Sequence, residues 1–125
     1  LGLADVIFTG QIKFDEILAY YHLADVFLCM SEHEGFCVPI VESMYFNVPV
    51  VARDTSAIAW TMGGSGVLLP DDDPIMAAEM VNRVLTEETL KDKILKSQRI
   101  RLQDFDNQKV KTQFLQIIDK IIQGK

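Results

Sequence analysis

Glu34 and Glu42 stand eight residues apart in "EGFCVPIVE", between two of the most apolar runs of the chain, "ADVFLCM" and "VPVVA". A carboxylate drawn into apolar surroundings is costly unless it is paired or hydrogen-bonded, so the two need partners. Gly35 lets the backbone turn tightly and lets a ligand approach it. Pro39 suits the first position of a helix, where its fixed φ and missing N–H do no harm. The amides of Phe36, Cys37 and Val38 would then point outward at a helix N-terminus, a place that favours phosphate. Glu34 would lie before that amide cluster and Glu42 one turn inside the helix. Ionised carboxylates only accept hydrogen bonds, and sugar hydroxyls donate them. A phosphate flanked by two polyhydroxylated groups, as in a nucleotide sugar, matches the set. A plainer reading uses the same residues: a glutamate near a helix N-terminus is favourable with the dipole alone, and Glu34 on a loop is simply solvated. Spacing does not choose between them.

The elements that must carry these residues follow from periodicity. "DVIFTG" reads as a short strand closed by Gly10, and "FDEILAYYHLA" as an amphipathic helix. "DVFLCM" is apolar throughout, as a strand covered on both faces should be. "PIVESMYF" reads as a short helix opened by Pro39, with Asn47 in the left-handed conformation beyond it. "VPVVA" is a further strand, "TSAIAWTM" a helical turn, and "GGSGVLLP" a glycine-rich turn into a last strand. Asp73-Pro74 marks a capped helix start. That helix breaks near Thr86 and resumes through "TLKDKILKSQRIRLQDF". Val110, Phe114, Ile117, Ile118, Ile121 and Ile122 line one stripe of a final helix. Strands alternating with helices at this spacing imply an α/β, Rossmann-like parallel sheet with right-handed crossovers and helices on both faces. In such a sheet, ligands bind at the carboxyl ends of the strands, where the loop from Ser31 to Val38 falls.

With 125 residues, 49% of them hydrophobic, the chain is expected to form one domain, residues 1–125, with no internal repeat. No apolar run approaches the roughly 18 residues of a membrane span, and no secretory leader pattern is expected. The net charge of -6 argues against nucleic acid as a partner. Its distribution says more: residues 1–70 hold only Lys13 and Arg53 against eight acids, while residues 71–125 hold ten bases and ten acids. Cys29 and Cys37 have no metal-ligand partners at a useful spacing in the sequence and point to a reduced intracellular protein. The triple aspartate at 71–73 invites comparison with metal-binding motifs, but before Pro74 it reads as a helix cap. His33 beside Glu34 reads as a loop residue and His22 as a structural position on the first helix. No metal site is expected.

"FTG", "YYHLADVFLCMSEHEGFCVPIVESMYFNVPVVA" and "GGSGVLLPDDDP" together resemble the carboxyl-terminal domain of the group 1 family of retaining glycosyltransferases with the GT-B fold, over residues 3 to about 85. The mark of that family is a Glu, seven residues, then a Glu. Ser31, Glu34, Gly35, Phe36, Pro39 and Glu42 fit its pattern in order and spacing. The resemblance implies that Glu42 accepts from the ribose hydroxyls of an NDP-sugar donor. It implies that Glu34, the catalytic candidate, contacts the transferred sugar, and that Gly35 and the amides of Phe36, Cys37 and Val38 hold sugar and diphosphate. Gly10, with Gln11 and Ile12 after it, would border the base. No essential metal or other cofactor is implied. Four positions depart from the pattern: Cys37 and Asn47 stand for glycines, Ser43 for an alanine, and Trp60 for a frequent glutamate.

The resemblance also implies that a basic pair gripping the diphosphate lies upstream of Leu1. The chain is therefore expected to be the incomplete donor-binding half of a longer enzyme, inactive alone, whose glycan or lipid acceptor binds a separate amino-terminal domain. An open sheet edge would invite a homodimer of the chain. The expected location is the cytoplasm, peripheral to a membrane if the acceptor is a lipid. A GT-B sugar-nucleotide epimerase and a non-catalytic nucleotide-binding module are the alternatives.

Overall fold

The computed structural model describes residues 4–124. In chain order the elements are α1 (Phe14–Leu23), β1 (Phe27–Cys29), α2 (Val38–Tyr45), β2 (Val50–Arg53), α3 (Ile58–Met62), β3 (Val67–Leu69), α4 (Pro74–Thr86), α5 (Glu88–Leu102) and α6 (Asn107–Ile122), with a 3-10 turn at Gln103–Phe105 before α6. The strands form one parallel sheet in the order β1-β2-β3, with Leu28 opposite Val51 and Val51 opposite Val67.

The central strand explains the layers. Val50, Val51 and Ala52 are all fully buried, and successive side chains of a strand point to opposite faces. Val50 and Ala52 pack with Ile40 and Met44 of α2 and with Ile58 and Met62 of α3. Val51 packs on the other side with Ala77 and Val84 of α4 and Ile94 of α5. Covered on both faces, β2 has no polar side to alternate with, and its sequence is apolar throughout.

Local signals set most boundaries. The Asp73 carboxylate accepts from the Ile75 amide (2.9 Å) and caps α4, with Pro74 first in the helix. Asp72 lies 3.7 Å from Arg53, so the acidic triplet is spent on a cap and an ion pair. Asn47 takes φ 56° after α2, as its position required. Helix α4 ends at Thr86, at the expected break. His22 packs edge-on against Phe46 at 4.8 Å, a structural role.

Two expectations are corrected. The segment 5–10 is not a strand. Among the described residues no backbone hydrogen bond ties it to β1, and Ile7 and Phe8 are 80% and 94% exposed. A β-rich sequence without a ladder partner has no reason to be a strand. Helix α2 begins at Val38, so Pro39 is its second residue rather than its first.

Gln98 of α5 is buried and bonds both ends of a backbone gap. Its Oε1 accepts from the Val50 amide (2.8 Å) and its Nε2 donates to the Val48 carbonyl (2.9 Å). The entry into β2 is thereby closed by a side chain. The apolar stripe of α6 lies in solvent, with Phe114, Ile117 and Ile121 each more than half exposed. No described helix is long and apolar enough to cross a membrane.

Candidate functional site

The loop from Ser31 to Cys37 leaves the carboxyl end of β1 and enters α2. Three hydroxyls from the neighbouring segment hold it by its carbonyls. Thr55 Oγ1 donates to the Ser31 carbonyl (2.9 Å), Ser56 Oγ to the Glu34 carbonyl (3.0 Å), and Thr61 Oγ1 to the Phe36 carbonyl. The Glu34 amide in turn donates to Ser56 Oγ at 2.8 Å. Among the described residues, the N–H groups of Phe36, Cys37 and Val38 have no protein acceptor. A helix N-terminus of this kind attracts anionic oxygen.

The turn is made differently from the sequence expectation. Cys37, not Gly35, takes the left-handed conformation, with φ 63° and ψ 70° at the N-cap of α2. That conformation costs an L-residue with a side chain about 1–2 kcal/mol, which is why a glycine would be the easier choice there. Gly35 has another use. A Cβ built on it would meet nothing within 4 Å, so the space beside its backbone is open.

The two carboxylates have unlike surroundings. Glu42, half-buried on the first turns of α2, accepts at Oε2 from the Tyr21 hydroxyl (2.9 Å). Burial, and then the Glu42 carboxylate, push the Tyr21 phenol well above its usual range, so it stays a donor. Tyr21 itself stacks on Phe46, with ring centroids 5.4 Å apart. Oε1 of Glu42 is left without a protein partner among the described residues. The Glu34 carboxylate likewise has none. Both can accept hydrogen bonds from a ligand.

The cysteines lie beside the same loop. Cys29 Sγ and Cys37 Sγ are 3.9 Å apart, and Ser31 Oγ is 3.6 Å from the former. The ligating atoms of Cys29, Glu34 and Cys37 all lie within 4.8 Å of one another, a convergence that spacing along the chain concealed. Burial first, then Cys29, then Glu34, push the Cys37 thiol up to about 12.

Phe36 faces a different neighbourhood. It meets Trp60 and Phe105 at centroid distances of 6.1 Å and 5.6 Å. The Arg101 guanidinium lies over both of those rings and donates to the carbonyls of Trp60 and Thr61. A cavity of about 570 Å³ opens between these residues. Other cavities, of about 690 and 710 Å³, open at Tyr45, at the far end of α2 from Glu34.

Glu34, Gly35, Phe36, Cys37, Val38 and Glu42 are thus brought together at one end of the sheet. Gly10 and Ile12 are not joined to them by any described hydrogen bond. Ile12 lies instead on a groove along α1 with Ala19, Tyr20 and Leu23. Sequence reasoning missed Tyr21, Ser56 and Thr61, because hydroxyls that act through a neighbour carry no motif. His33 is exposed on the loop.

Comparison with known proteins bears on the family and the fold. The family model for glycosyl transferases group 1 matches residues 1–101, which carries the likeness beyond the quoted motifs into α5. A serotype-specific mannosyltransferase, WbdA, of Escherichia coli is 26% identical over 88 residues, 70% of this chain and 11% of that protein. A D-inositol 3-phosphate glycosyltransferase of Thermobifida fusca is 33% identical over 90 residues, 70% of this chain and 21% of that protein. In structure, sucrose-phosphate synthase of Thermosynechococcus elongatus matches with a TM-score of 0.77 at 25% identity, over 98% of this chain and 31% of that one. The chain spans about a tenth to a third of the length of these relatives. With its parallel sheet, its helices on both faces and a family match that covers most of its length, this chain belongs to the glycosyl transferases group 1 family and has the Rossmann-like α/β architecture of a GT-B domain.

Proposed function

We propose that the chain is the donor-binding part of a retaining glycosyltransferase that moves a hexose-type sugar from an NDP-sugar to a glycan or lipid acceptor. One observation carries this reading: three unpaired amides at the N-terminus of α2 lie between two carboxylates that each keep an oxygen free to accept. Oε1 of Glu42 takes hydrogen bonds from the ribose, while Tyr21 holds the other oxygen. Glu34 accepts from hydroxyls of the transferred sugar. The amides of Phe36, Cys37 and Val38 hold sugar and diphosphate and stabilise the charge that develops on the leaving group. Gly35 leaves room for the sugar to reach the backbone.

The phosphate grip is incomplete. Arg53, the basic residue that ends β2, is already paired with Asp72 at 3.7 Å, and Arg101 beside Phe36 is spent on Asp104 and on the carbonyls of Trp60 and Thr61. The cationic part of the site and the acceptor site belong to other segments of the parent enzyme, and the chain alone does not transfer sugar.

Calorimetric titration with UDP, GDP and ADP and their sugars tests this. GDP-mannose is the first choice, given a mannosyltransferase among the relatives. One nucleotide is expected to bind, and Glu42→Ala to weaken it by about tenfold or more, the scale of a lost charge-assisted hydrogen bond. Binding unchanged by Glu42→Ala would overturn the reading.

A further inference from the structure

We propose that Cys29, Glu34 and Cys37 form a binding site for a thiophilic divalent cation of the zinc and cadmium class. The sulfur separation discriminates among the possibilities. Two thiolates on a tetrahedral zinc, each at about 2.3 Å, stand ~3.8 Å apart, whereas a disulfide needs about 2.05 Å. Here the separation is 3.9 Å, and the Glu34 carboxylate reaches within 4.8 Å of both sulfurs.

The three ligands come from separately fixed pieces of structure. Cys29 is held in the β1–β2 ladder opposite Ala52, Cys37 caps α2, and the Glu34 backbone is clamped by Ser56. The Glu34 carboxylate has no protein hydrogen bond to give up among the described residues. A fourth position is left for water, as in three-ligand zinc sites. Binding releases one proton from each thiol to solvent and involves no electron transfer. Two thiolates and a carboxylate around a dication leave one net negative charge, which suits the unpaired amides of Phe36, Cys37 and Val38 beside it. The eight acids against two bases in residues 1–70 draw cations to this half of the chain.

One consequence rests on the donor-site reading. An oxygen of Glu34 that ligates the cation is lost to the sugar hydroxyls, so a bound cation partly excludes the sugar of the donor from this carboxylate.

Cadmium added to the reduced protein tests the site. A thiolate-to-cadmium absorption band in the ultraviolet is expected to saturate at one equivalent, and bound cadmium is expected to shield both thiols from maleimide in the unaltered protein. Cys37→Ser and Cys29→Ser should each remove at least half the band and lower affinity more than about tenfold, since even outer-shell changes cost that much. Glu34→Gln should keep the band and weaken binding. No band in large metal excess, no shielding of the thiols, or a band that Cys37→Ser leaves unchanged would each overturn the proposal. Titrating GDP-mannose with and without cadmium separates the two readings. A donor that binds equally well in both removes only the exclusion. A donor that binds in neither counts against the donor site, while the band still decides the cation site.

Discussion

The hydroxyl of Tyr21, on α1, donates to Oε2 of Glu42, on α2, across 2.9 Å. It fixes one oxygen of the carboxylate and turns the other outward. Hydrogen bonds to a charged group contribute about 1.5–3 kcal/mol, so Tyr21→Phe is expected to lower stability within that range. The same change lets the Glu42 carboxylate rotate, and nucleotide affinity should fall several-fold, less than with Glu42→Ala. Urea unfolding and calorimetry on the two variants check both parts. Stability lost with affinity untouched would reduce Tyr21 to a packing residue.

Raised acid groups also set a pH dependence. The Cys37 thiol is raised to about 12 and the Tyr21 phenol is raised as well, both mainly by burial. A folded state that keeps a proton which the unfolded chain has lost is destabilised as pH rises. Stability from this source is therefore complete below about pH 9, the unfolded thiol's range, and declines as pH climbs toward 12. Denaturation midpoints measured from pH 7 to 11 should fall beyond pH 9, and Cys37→Ser should flatten that part of the curve. A wild-type profile level to pH 11 would contradict it.

The architecture was legible where one physical cause dominates. Continuous apolar runs named β1 and β2, but only β2 is covered on both faces; in β1 Leu28 is exposed, contrary to the expectation of a strand buried on both sides. Asp73-Pro74 and Asn47 named helix ends, because each supplies a local backbone need. The same logic misread residues 5–10, whose β-rich composition is real but which have no ladder partner among the described residues. At the site, carboxylates and amides could be found from their spacing. Tyr21 and the three clamping hydroxyls could not, since they meet the loop only in three dimensions. Gly35 was expected to let the backbone turn tightly, yet the left-handed residue of the loop is Cys37. The convergence of Cys29 with Cys37 likewise depends on the loop doubling back from β1 to α2, which no spacing rule encodes.

Gln98 is expected to be a sensitive position despite its distance from the site. Its amide satisfies the Val50 N–H and the Val48 carbonyl, both in buried residues. Gln98→Leu keeps the volume but leaves both backbone groups without a partner, at about 1–3 kcal/mol each. A loss of roughly 2–6 kcal/mol follows, read as a lower urea midpoint with little change in slope. A loss below about 1 kcal/mol would mean that water replaces the side chain there.

Cys37 provides the sharpest test of the loop's backbone. It is 6% exposed and holds φ 63° at the N-cap of α2. Cys37→Ala and Cys37→Gly remove the same sulfur and differ only in Cβ. Alanine keeps the left-handed penalty of about 1–2 kcal/mol. Glycine escapes it but adds unfolded-state freedom worth about 0.5–1 kcal/mol. The difference favours glycine, so Cys37→Gly should be more stable than Cys37→Ala by about 0.5–1 kcal/mol, contrary to the usual order of these residues within helices. Glycine also opens the space beside the unpaired amides, so nucleotide-sugar affinity should be at least that of the unaltered protein, while cadmium binding should be lost. If alanine proves the more stable variant, position 37 is not held left-handed, and the amides of Phe36, Cys37 and Val38 do not share the orientation on which phosphate binding depends.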